Sequence, residues 1–154
     1  ILLAKVGLLD MVLQQSKEKV SIPPAVYVEC MVKKERDDAQ LIFRRVEEKK
    51  VVIESVGQRT LVTRLQHDLN LGKGEAEALT LCLEKKTALL TDDKKAITAC
   101  KVFHITFITA LNLLVALRDS GHLTKEDLSI MLTKLQDYGR YNKALIKKAE
   151  GDIQ

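Results

Sequence analysis

The chain has only three cysteines in 154 residues, Cys30, Cys82 and Cys100. Their odd number and lack of close spacing argue against a disulfide framework or a C-x-x-C zinc site, and fit a reducing, cytoplasmic setting. The three histidines, His67, His104 and His122, form no H-E-x-x-H or comparable ligand spacing. No apolar run reaches the roughly 20 residues needed to span a bilayer, and no signal-peptide pattern precedes the fold. Strong charge is also missing. A net charge of +4 suits an anionic partner but lacks the density of a dedicated nucleic-acid-binding tail. The glycine-containing stretch "NLGKG" (70–74) matches neither G-x-x-x-x-G-K-[ST] nor G-x-G-x-x-G, which argues against a nucleotide-phosphate loop. Internal repeats and low-complexity segments are absent. What is present is 46% hydrophobic residues, enough for one domain of 1–154 with a single core.

Helical spacing of Leu2, Val6, Leu9 and Leu13 predicts a helix from Ile1 to about Gln15. "KVSIPP" reads as a short strand stopped by Pro23 and Pro24, and Pro24 opens the next helix at its first position. That helix runs toward Glu48, as one piece or two, because its middle turns polar around 33–38. "VVIESV" (51–56) is a β-branched strand, and Arg59 to Asp68 a helix. After Asp93 come a short helix "KKAITACKV", a strand "HITFIT" and a helix "ALNLLVALRDSG" closed by Gly121. Thr124 then caps "KEDLSIMLTKLQDYG", with Asp127 placed to complete a capping box. Strands alternating with helices predict an α/β fold of three layers, a central parallel sheet with helices on both faces. The mixed-charge run 33–50 reads as a solvated helix face, or else as an arm touching nucleic acid. The tail 140–154, with Arg140, Lys143, Lys147 and Lys148, reads as a solvent-facing terminal helix.

The stretch "EAEALTLCLEKKTALLTDD" (75–93) carries the functional signal. As a helix, 75–86 rises about 17 Å, and 88–92 as a strand returns about 16 Å. With a turn at Lys85-Lys86-Thr87, Asp92 or Asp93 comes back to the end of the molecule that holds Glu75. On the helix, Ala76, Leu79, Cys82 and Leu83 form the core stripe; Glu75 sits at its end, and Glu77 falls on the outer face. Glu29, flanked by Ala25, Val26 and Val32 at helical spacing, is expected to face inward, where an unpaired carboxylate is costly. Each acid has a plainer reading: Glu75 as a helix-dipole partner, Asp92 or Asp93 as an N-cap, Glu29 as a hydrogen-bonded structural residue. In open α/β sheets, however, the carboxyl ends of strands line the ligand crevice. Hard oxygen ligands clustered there suit Mg²⁺ or Mn²⁺.

"ILLAKVGLLDMV", "VSIPPAVYVEC", "LGKGEAEALTLCLEKK", "ALLTDD" and "LLVALRDSGHLT", in this order, resemble the PIN-domain family of VapC-type toxins and RNA-processing nucleases, in particular its compact prokaryotic members. The resemblance runs over nearly the whole chain. It implies a divalent-metal-dependent ribonuclease, with RNA as partner, a protein antitoxin as a further one, and a homodimer. Carried over by motif, Glu29, Glu75 and Asp93 are the catalytic acids and ligands of Mg²⁺ or Mn²⁺, with Asp92 beside them. Thr91 matches the hydroxyl residue before the strand-end acid, and Lys73, Lys94 and Lys95 would meet phosphates. The family's first acid is expected before residue 1, at the end of a central strand; Asp10, well into the first helix, is a poor substitute. The alternative reading is an inactive PIN-like module that binds nucleic acid or protein. Apolar residues Ile130, Leu132, Leu135, Leu145 and Ile146 are the expected dimer surface.

Overall fold

The computed structural model describes residues 1–139 and 141–151. The first predicted helix is split: Gly7, at φ 85°, separates α1 (Leu2–Val6) from α2 (Leu9–Gln15). β1 (Val20–Ile22) leads into α3 (Pro24–Met31), where Pro24 opens the helix because its missing N–H is no loss there. The polar middle of the long predicted helix ends α3, and α4 (Asp37–Glu47) starts anew. Its acids Asp37 and Asp38 stand in the first turn and Arg44 and Arg45 in the last, which complements the helix dipole. β2 (Val51–Ile53) and α5 (Arg59–Leu69) follow, then α6 (Lys73–Lys85), β3 (Leu89–Leu90) and α7 (Lys94–Val102). β4 (Phe107–Ile108), α8 (Ala110–Asp119), α9 (Lys125–Tyr138) and α10 (Lys143–Gly151) complete the chain. Gly121, at φ 75°, closes the α8 end, and the Thr124/Asp127 capping box is fully formed.

All strand pairing is parallel, as expected of a layered α/β fold. β1 pairs with β2 in the register Val20 to Val51, and β3 with β4 in the register Leu89 to Phe107. The strands are shorter than their sequence signals. The β-branched run from Val51 stops at Ile53; beyond it the Glu54 side chain meets Lys85 at 2.7 Å, and Gly57 and Gln58 give their N–H groups to Glu84. Among the described residues the strands therefore form two two-stranded ribbons. Ile22 uses its carbonyl on Glu54 of the β2 side, and Leu89 and Thr91 donate to Thr106 and Ile108 on the β4 side. By the alternation of a parallel ladder, the peptide groups of Ser21 and Leu90 point away from these partners. Both strands line one cavity of about 550 Å³, bounded at one side by the start of α1.

Three apolar clusters hold the helices. One joins α5, α6 and α7 to β3 through Leu65, Leu79, Cys100 and neighbours. A second joins α1, α8, α9 and α10 through Val6, Leu114, Leu132 and Ile146. A third, around Leu9, Cys30 and Ile42, ties α2 to α3 and α4, supported by Arg45, whose guanidinium grips both carboxylate oxygens of Asp10 at 2.6 and 2.7 Å. The second cluster corrects the expected dimer surface: Leu132, Leu135 and Ile146 are consumed by the core, and only Ile130 and Leu145 stay exposed. Lys143, Lys147 and Lys148 are solvent-facing on α10; Arg140 and residues 152–154 lie outside the described residues. No helix among the described residues is long and apolar enough to cross a membrane.

Candidate active site

Glu75, at the start of α6, and Asp92, just after β3, line one cavity. β3 runs out into Thr91, Asp92 and Asp93, and the chain turns directly into α7. Asp93 is the N-cap of that helix, its Oδ1 accepting from the N–H of Ala96 at 2.8 Å. Thr91 Oγ1 accepts from the N–H of Asp93 at 3.2 Å, fixing the turn. Asp92 points elsewhere. Its Oδ1 accepts from the N–H of Ala110, the first residue of α8, at 3.0 Å, and from the hydroxyl of Tyr141. Burial, reinforced by the Asp92 carboxylate, pushes the Tyr141 hydroxyl up to about 12.

The opposite wall comes from α6 and α3. Glu75 stands in the first turn of α6, half-buried, with its carboxylate folded back over Gly72, the N-cap. Glu29, on α3, is exposed rather than inward-facing, yet its carboxylate lies against the first turn of α6. Gly74 permits that approach: a Cβ there would sit 2.7 Å from Oε1 and 3.0 Å from Oε2 of Glu29. Glu29, Gly74, Glu75, Thr91 and Asp92 all line the cavity between β1 and β3, whereas Asp93 is outside its lining.

Glu77 departs most from its sequence reading. It is 8% exposed rather than solvent-facing, and its Oε2 accepts from the N–H of Ala25 at 2.9 Å, capping α3. The reason is that α6 is buried on more than one side: Gly74, Thr80 and Leu81 are covered as well as Ala76, Leu79 and Cys82. Leu81, four residues on from Glu77, was the available hint of a second buried face. Tyr141, the other unforeseen residue, follows the C-terminal end of α9, and nothing in the spacing around it marks it as reaching Asp92.

The lysines are less free than the sequence suggests. Lys73 is the first residue of α6 and lies 4.0 Å from Glu77; Lys95 donates to the carbonyl of Asn70 at 2.9 Å. Lys94 is exposed at the start of α7. All three cysteines are buried free thiols, and burial pushes each upward.

In donor chemistry the cavity fits a hard divalent cation, since carboxylates of Glu29, Glu75 and Asp92 and the hydroxyl of Thr91 share one lining. In number it falls short: among the described residues, no three acids, histidines or cysteines stand close enough together to hold an ion.

Neither the curated proteins nor the solved structures offer a match to this chain. A family model described as a PIN domain does match, over residues 1–150. That span covers the cavity, both ribbons and every acid described above, and the chain therefore belongs to the PIN-domain family.

Proposed function

We propose that the protein is a divalent-metal-dependent ribonuclease. Membership of the PIN family supports a nuclease-like hydrolase; the cavity lined jointly by Glu29, Glu75, Thr91 and Asp92 is the observation that carries the finer reading. Glu29, Glu75 and Asp92, with Asp93 at the adjoining helix start, would hold Mg²⁺ or Mn²⁺. When bound, such an ion supplies an activated water and neutralises charge developing on a phosphodiester. The protein's own part is positional. Gly74 lets Glu29 close onto α6, Ala110 and Tyr141 fix one oxygen of Asp92, and Thr91 sets the turn between strand and helix. Lys94, with Lys73 and Lys95 nearby in the fold, offers positive charge to neighbouring phosphates, a contribution that salt weakens. A protein antitoxin and a homodimer using Ile130 and Leu145 belong to the same reading.

The absence of a three-acid cluster among the described residues favours a second reading, a PIN-like module that binds RNA or protein without cleaving it. Incubation of labelled RNA with Mn²⁺, with Mg²⁺ and with EDTA separates the two. The nuclease cuts in metal only and loses cutting in Glu75→Gln. A module that retains RNA unchanged under all three conditions contradicts the proposal.

A further inference from the structure

The charged residues of the run 33–50 take no part in the cavity between the ribbons. Several of them line a second cavity, of about 550 Å³, where α1, α4 and α9 meet. Lys5 of α1, Glu35 and Arg36 of the turn before α4, Asp37 and Arg44 of α4, and Tyr138 at the end of α9 bound it. Ala4 of α1 lines both cavities, so the two adjoin at that helix. Tyr138 is 56% exposed, a large open face for an aromatic side chain. The Lys5 ammonium stands 6.0 Å from its ring centroid, at the outer limit of a cation–π contact, so it holds the ring only weakly. Arg36 is taken by Asp38 at 3.2 Å, whereas Arg44 is exposed, with its Nε on the carbonyl of Gln40 at 3.4 Å.

We propose that this second cavity is a subsite for one nucleotide of single-stranded RNA, its base stacked on Tyr138 and its phosphate met by Lys5 and Arg44. The chemistry of the lining selects that ligand. Lys5, Arg36 and Arg44 are balanced by Glu35, Asp37 and Asp38, so a ligand that is only negative gains little here. A nucleotide carries three things at once: an uncharged π-face for the tyrosine, a phosphate for the cations, and base N–H groups or a ribose hydroxyl for the exposed carboxylates of Glu35 and Asp37. The inference rests on RNA as the partner of the proposed function, and on no bound ion.

Fluorescence anisotropy of a labelled single-stranded RNA with the full chain in EDTA tests it apart from cleavage. Tyr138→Ala should weaken binding about tenfold, the loss of one base–aromatic stack, while Tyr138→Phe, which keeps the ring, should bind within about twofold of the parent. Arg44→Gln, on a different helix, should weaken binding and lower the slope of log affinity against log salt by about 0.7, one phosphate contact on a single strand. Tyr138→Ala binding like the parent, Tyr138→Phe binding as weakly as Tyr138→Ala, or an unchanged slope in Arg44→Gln would overturn the subsite. A polyglutamate peptide that displaces the RNA, and itself loses affinity in Tyr138→Ala, would assign the cavity to an acidic peptide instead. A parent that binds no RNA in EDTA would also overturn it, whereas the nuclease reading falls only if RNA stays intact in Mn²⁺ and in Mg²⁺.

Discussion

Glu77 on α6 accepts a hydrogen bond from the backbone N–H of Ala25 on α3, 2.9 Å away and 52 residues earlier in the chain. An orphan N–H in the first turn of α3 is thereby satisfied, as a side-chain N-cap would do, but from another helix. Glu77→Ala should cost about 1–3 kcal/mol, the penalty for a buried N–H left without a partner. Urea denaturation of the two proteins measures it, and an unchanged midpoint would mean that water replaces the carboxylate freely. Because α3 also carries Glu29, the same change should disturb the cavity.

Gly74→Ala should separate function from stability. Alanine inside a helix is favoured over glycine by about 0.5–1 kcal/mol, and the clashing atoms are the far end of an exposed Glu29 side chain, which can swing away. Thermal melting should therefore show equal or greater stability. RNA cleavage should fall, since Glu29 is driven off the first turn of α6. A variant that melts lower and cleaves normally would reverse both halves of the argument.

The Arg45 guanidinium holds the Asp10 carboxyl below the usual carboxylate range, its direct hydrogen bonds being the largest cause. A depressed acid contributes stability above its unfolded pKa and loses it as pH falls through the lower folded value. The parent should accordingly lose stability below about pH 4, near the ordinary aspartate value, and Asp10→Asn should lose less over the same interval. Melts at pH 7 and pH 3 for both proteins decide the sign. Both side chains are partly open to solvent, so the difference should be modest and should shrink in high salt.

Hydrogen exchange checks the ribbon edges. Leu89 and Thr91 donate on the β4 side and should be protected, whereas the amides of Ser21 and Leu90, which the alternation of a parallel ladder turns away from the paired strands, should exchange much faster. Strong protection of both would show that an extended segment pairs with these edges.

Much of this architecture is legible in the residues. Pro24, Gly121 and the Thr124/Asp127 box set helix ends through strictly local chemistry, and each acts where its type demands. The helix and the strand expected within 73–93 are both formed, as α6 and β3, and Glu75 and Asp92 line one cavity. Less legible are contacts set by packing between distant elements. Whether Glu77 or Glu29 is covered depends on where α3 lies against α6, and periodicity within one helix does not contain that information. The same holds for Asp92 and Asp93. Adjacent in sequence, they cap different helices, α8 and α7, and only the position of Ala110 decides which acid turns to the cavity.

Thermal melting of the full chain in excess Mn²⁺ and in EDTA, for the parent and for Glu75→Gln, decides whether acids of this cavity hold a cation. Binding to the native state alone stabilises by about 2.7 kcal/mol at a hundredfold excess over Kd. The parent should melt several degrees higher in Mn²⁺, and Glu75→Gln should lose most of that rise while melting no lower than the parent in EDTA. A parent whose melting temperature is the same in Mn²⁺ and in EDTA would mean that these acids hold no cation.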